Sequence, residues 1–302
     1  MRHPHHFKIC LVVFLVGALW GFYWLPQRAL ESGGLTGGWA TMAQYIIPLI
    51  LLLPLTIWKW FKKKSTGFEF PLIGLFLGGG LACYANSLLL TDIMRALILF
   101  FLMPIWTTLF EIIFFKQKPQ LERIISLILV IFGLLVVFNQ NGKLPFPHNT
   151  GDWLALFSGV LAAAGAIKLQ SVKSESISSL LFSFFFYGTL VTLLQAILFG
   201  SSFGPIPDLN SLFLMLPLLL LISVGFLIPS HIIVIWSPSK IGAGLFSILI
   251  LSEIIFGTLS TGLLANDPFG LREIIGGGLM LLAGLVEVLL KPKNIYKKKL
   301  YS

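Results

Sequence analysis

The run SILILSEIIFGTLSTG (247–262) carries one carboxylate, Glu253, in an otherwise apolar stretch. A charge facing hydrocarbon at mid-bilayer costs at least ~2.5 kcal/mol on insertion scales, so this side chain must face an interior. Three uses are open to it there. It can be a neutral acid hydrogen-bonded to a neighbouring helix, it can pair with His231, or it can bind a proton or a cationic group. Desolvation favours the neutral form of a carboxylate, which makes proton binding an economical version of the third use.

Other polar and aromatic residues are spaced to share helical faces. Trp20, Tyr23, Trp24 and Gln27 fall at i, i+3, i+4 and i+7. Such a stripe can stack on a planar or cationic ligand, or it can form an interfacial aromatic belt. Pro104, Thr107, Thr108 and Glu111 share a face, and Pro104 can kink its helix. Trp106 is a separate aromatic candidate. Glu111 lies near a helix end, within reach of Lys116 or Lys118. Cys83, Asn86 and Ser87 form a third face, with Tyr84 beside them, and can serve a substrate or a neighbouring helix. Arg95 has Asp92 as an obvious partner. Gln44 and Gln195 read as structural hydrogen-bond formers, and Glu287 as a partner of the basic tail.

These groups need helices to position them. The chain has 302 residues, 57% hydrophobic and only 11% charged, far more apolar than a soluble domain. Ten runs are long enough to span a bilayer: about 9–30, 39–58, 71–91, 93–115, 121–139, 152–171, 177–200, 211–236, 241–263 and 271–290. With the N-terminus in the cytoplasm, 17 of the 21 Lys and Arg residues fall on the inner side. That bias predicts both termini inside. Cys10 and Cys83 lack metal-ligand spacing, as do His3, His5 and His6, and no phosphate-binding loop is present. No cofactor and no nucleic-acid partner are expected.

The chain also repeats. KPQLERIISLILVIFGLLVV (118–137) resembles DPFGLREIIGGGLMLLAGLVEV (267–288), with Pro119 matching Pro268 and Arg123 matching Arg272 at an offset of 149. Under the same offset Glu253 matches Pro104. ALWG (18–21) matches AAAG (162–165) more weakly, which sets Lys168 opposite Trp24 as a cavity-facing or snorkelling cation. Residues 1–145 and 146–302 thus read as two five-helix halves. Five is odd, so the second half enters from the opposite face. The expected fold is an all-α membrane protein with ten transmembrane helices in two inverted repeats, an arrangement that puts binding sites near the midplane.

The residues ALWGFYW, FLMP and SEIIFG…PFGLREIIGGGLMLLAG resemble the EamA family of the drug/metabolite transporter superfamily. Where many members carry a GE pair at the end of the fourth helix, this chain reads FFKQKP. The resemblance implies a central cavity lined by helices 1, 3, 4, 6, 8 and 9, and movement of small organic metabolites, often outward. An amino acid, amine or aromatic compound suits an aromatic lining with one acid. The expected partners are this small molecule, the lipid bilayer and a coupling proton; no oligomeric state is legible. The candidate site residues are Trp20, Tyr23, Trp24, Asn86, Pro104, Trp106, Thr107, Lys168, His231 and Glu253. An integral-membrane enzyme or a non-transporting assembly partner are the rival readings. The loop acids Asp152, Asp208, Asp267 and Glu273 make no paired catalytic set.

Overall fold

The computed structural model describes residues 4–62, 69–91, 93–138, 147–171, 176–264 and 270–290. Among them every regular element is helical. Nine helical stretches are long and apolar enough to cross a membrane: α1 (His6–Ser32), α2 (Gly38–Trp58), α3 (Pro71–Leu90), α4 (Arg95–Phe115), α6 (Thr150–Ser171), α7 (Ile177–Phe203), α8 (Leu209–Ile241), α9 (Ala243–Leu264) and α10 (Leu271–Leu290). Between α4 and α6 lies one further helix, α5 (Leu121–Phe138). Large apolar side chains on the outer faces, such as Phe132, Leu194, Phe213 and Leu282, remain exposed. That is the pattern of a bundle solvated by lipid rather than by water.

The helices pair in a regular way. α5 packs along α10, and α2 against α7. α6 lies against α3 and α4, while α1 lies against α9 and, less extensively, α8. Glycine permits the closest of these approaches. A Cβ on Gly133 would sit 2.8 Å from the Gly276 carbonyl, and one on Gly78 would sit 2.0 Å from that of Phe184. The two glycine triplets therefore act in packing, although Gly278 meets nothing within 4 Å. α8 turns into α9 through Gly242 alone, at φ 88°, a conformation that disfavours any other residue.

Four of the helices are irregular in matched positions. α4 is interrupted at Phe101–Leu102, just before Pro104, which enters the first turn of the second half and has no N–H to lose there. α9 is interrupted at Ile250–Leu251, 149 residues later and without a proline. α3 contains a π-helical turn at Leu75–Gly79, and α8 one at Ser223–Leu227, 148 residues on. α1 is also broken, at Gly21–Tyr23, but α6 runs without interruption.

Candidate functional site

Glu253 lies in the first turn of the second half of α9. Its backbone N–H bonds the Ile250 carbonyl at 3.0 Å, closing the turn at the break. No hydrogen bond or ion pair reaches its carboxylate among the described residues. The side chain is partly exposed within the bundle. Tyr84 of α3 stands close enough to interact with it electrostatically, and Tyr84 itself stacks on Phe100 at 4.2 Å. The break puts the N-terminal end of a half-helix at mid-bundle depth.

The break in α1 adjoins this acid. A Cβ on Gly21 would lie 2.8 Å from the Glu253 carbonyl and 2.5 Å from the Gly257 nitrogen, so only glycine allows the two backbones to touch. One residue earlier, Trp20 begins an aromatic cluster. Its ring lies 4.9 Å from Tyr23, 4.9 Å from Phe226 and 5.3 Å from His231. Tyr23 stacks on Phe226 at 5.5 Å, and Phe184 of α7 covers His231 at 4.3 Å.

His231 does not join Glu253 in an ion pair. It is buried, and its Nδ1 donates to the Leu227 carbonyl at 2.7 Å. That carbonyl ends the π-helical turn of α8. With Nδ1 as donor, Nε2 of the neutral ring is left as an acceptor. The π-turn of α3 is used in a comparable way, because the Tyr45 hydroxyl donates to the Gly78 carbonyl at 3.3 Å. A π-turn leaves carbonyls short of a helical partner, and in both places a ring from the cluster's surroundings supplies one.

Residues 7–139 match the EamA-like transporter family, a family of the drug/metabolite transporter superfamily. Over that stretch the chain is similar to EamA-like transporters. A search of the curated proteins found no match. A crystal structure of a protein 15% identical in sequence superposes with a TM-score of 0.71, covering 94% of this chain and 99% of that one, which establishes a shared fold.

In this EamA-like chain the other candidates take up several positions. Asn86 is buried and donates to the Gln195 side chain of α7, whose own amide reaches Cys83 Sγ at 3.5 Å. Gln44 donates to Gln27 at 2.7 Å. Trp24 turns towards α9, where its indole N–H donates to Ser260 at 2.9 Å and Arg28 lies over its ring. Pro104 is buried and its carbonyl accepts from both Thr107 and Thr108. Thr107 also meets Ser247 of α9 at 2.9 Å. Trp106 packs against the large apolar core with its indole N–H buried and without a partner among the described residues. Lys168 lies half-buried in the last turn of α6, with no ion pair among the described residues.

One expectation about an ion pair needs correction. Glu111 pairs with neither Lys116 nor Lys118. It lies 3.7 Å from Arg123, which also binds Glu287 at 2.9 Å. The residues Arg123 and Glu287 come from α5 and α10, so the pair follows from the packing of those helices. Arg95 reaches Asp152 at 2.6 Å. Asp92 lies outside the described residues, as does the basic tail. Thr91 and the His148 N–H complete the Asp152 shell.

The sequence reading named neither Phe226 nor Tyr84 as a site residue. Phe226 had no signal in a run of leucines and valines. Tyr84 had one, a phenol next to Cys83 and two residues before Asn86.

Proposed function

We propose that this protein is a secondary active transporter of a small organic metabolite, an amino acid, amine or aromatic compound, and that it works by alternating access. The observation that carries this reading is the Glu253 carboxylate, partly exposed and without hydrogen bond or ion pair among the described residues, between two broken helices. Such a group inside a membrane bundle is a functional-site hypothesis by default. It offers a charge to a coupling proton or to a cationic substrate group. Trp20, Tyr23 and Phe226 offer adjacent ring faces for an apolar or cationic body.

The inverted-repeat reading is supported by the matched interruptions. The breaks in α4 and α9 recur at the offset of 149 read from α5 and α10, and the π-turns in α3 and α8 recur one residue short of it. The helix contacts agree with it too, because exchanging the halves turns the α4–α6 contact into α9–α1. Two such halves can rock about a midplane site. In this reading α5 is a tenth crossing, the halves meet near residue 145, and both termini lie in the cytoplasm. No nucleotide-binding motif is present in the sequence, so a solute or proton gradient supplies the energy.

The test is flux in liposomes containing the purified protein and a defined mixture of aromatic amino acids and their amines. Comparing metabolites outside cells with and without the protein selects further substrates. Protein-dependent flux of unmodified solute is expected. A solute released chemically changed would favour the enzyme reading, and absence of flux across all metabolites so selected would sink the transporter reading.

A further inference from the structure

Six of the crossings form two groups, which meet where the end of α8 and the start of α9 pack on α4 and α6. α1, α8 and α9 pack together, and α3, α4 and α6 pack together. Each group takes one helix from one half of the sequence and two from the other. Among the described residues three side-chain hydrogen bonds join the groups. Thr107 meets Ser247 at 2.9 Å, Glu111 accepts from the Gly244 N–H at 3.2 Å, and Gln170 accepts from the Ala243 N–H at 2.9 Å. All three lie at one end, where α4 and α6 finish and α9 begins. The opposite end has its own polar cluster around Asp152, but that cluster ties α4 and the end of α3 to α6, within one group.

We propose that Glu111, Gln170 and Thr107 form a clasp on the first turns of α9, and that this clasp is the gate closing one end of the path to Glu253. The proposal rests on the transporter reading and extends it to residues that reading does not use. The first N–H groups of a helix have no partner in their own helix. At α9 two of them are buried and satisfied only from the opposing group. Releasing the clasp therefore exposes donors that water can take over, which is what a reversible polar gate requires. The gate lies six to ten residues before Glu253, roughly 9–15 Å along a helix. By the Lys and Arg distribution it faces the cytoplasm.

Arg123 is the positioning residue of the clasp. Its guanidinium lies where a Cβ on Gly244 would be, 2.0 Å from Nη1, so only glycine at 244 admits it. It is buried and bonded to Glu287, and it presents its charge to Glu111 from behind. α5 and α10 thus hold the acid that α9 docks on.

The test uses a chain in which Cys10 and Cys83 are replaced by serine and Tyr84→Cys is introduced beside Glu253 as a reporter. A membrane-impermeant maleimide is applied separately to each side of vesicles. Glu111→Ala with Gln170→Ala should speed labelling from the gated side about tenfold, the change expected for a loss near 1.4 kcal/mol. Asp152→Asn, within one group at the far end, should not speed labelling from that side. An unchanged rate in the double variant would overturn the clasp. Because these changes can impair folding, a second arm pairs Thr107→Cys with Ser247→Cys, whose parent oxygens are 2.9 Å apart. The cross-linked form should resist labelling and recover on reduction; labelling unaffected by the cross-link would also overturn the proposal. Labelling needs no transport, so absent flux in the parent protein would count against the transporter reading alone.

Discussion

α1 and α6 begin the two halves of the chain, yet they are built differently. α1 breaks at Gly21–Tyr23 and fills the break with aromatic rings. α6 is continuous, and its corresponding stretch is AAAGAIK. The counterparts α4 and α9 are, by contrast, both broken at matching positions, and α3 and α8 both carry π-turns. In the proposed repeat the halves therefore share two of three backbone irregularities but not their chemistry. One half brings the rings of Trp20 and Tyr23, and the other brings Glu253, opposite Pro104 in the repeat. The symmetric frame and asymmetric lining that we propose suit a carrier, in which movement needs two comparable halves and recognition does not.

The sharpest contrast within this comparison is between Gly21 and Gly165. A Cβ on Gly21 meets backbone atoms of Phe256 and Gly257, which cannot move aside without separating α1 from α9. A Cβ on Gly165 first meets the Leu77 side chain, 2.5 Å away at its tip, where a rotamer change can relieve the contact. Gly21→Ala should abolish flux or membrane expression, while Gly165→Ala should retain most of both. Equal losses would remove the asymmetry.

A smaller effect is expected at the rings. Trp20→Ala should lower flux several-fold with expression intact, because Trp20 joins Tyr23, Phe226 and His231 in one cluster. Stacking on one exposed ring is worth about 0.5–2 kcal/mol. Normal flux in the expressed variant would return the stripe to packing. The least effect on activity comes from topology reporters. Cysteines at Ser65 and Ser302 should be shielded from an impermeant thiol reagent in intact cells, and labelling of both from outside would reverse the orientation argued for the two halves.

Much of this was legible from local signals. The apolar runs anticipate the helices within a few residues, since lipid demands length and apolarity together. Pro104 announces the break in α4, and the offset of 149 carries that depth to Glu253. The break in α9 itself was not legible, because no proline or glycine stands at Ile250–Leu251. The π-turns were equally silent, since an inserted residue leaves no compositional mark. Ion pairs failed for another reason. Glu111 was read against Lys116 and Lys118, its neighbours in sequence, whereas Arg123 is brought to it by the packing of α5 with α10 and reaches on to Glu287. Partners across a bundle cannot be found from spacing along one helix.

The central claim is that Glu253 is the charge on which transport turns. Its most direct test is uptake driven by a pH gradient in liposomes, comparing the parent protein with Glu253→Gln over a range of pH. Glutamine keeps the size and a hydrogen-bonding amide but cannot ionise. The account predicts a folded variant that loses concentrative uptake and shows a flat pH dependence in any residual exchange. Concentrative transport with the parent's pH dependence in Glu253→Gln would contradict it.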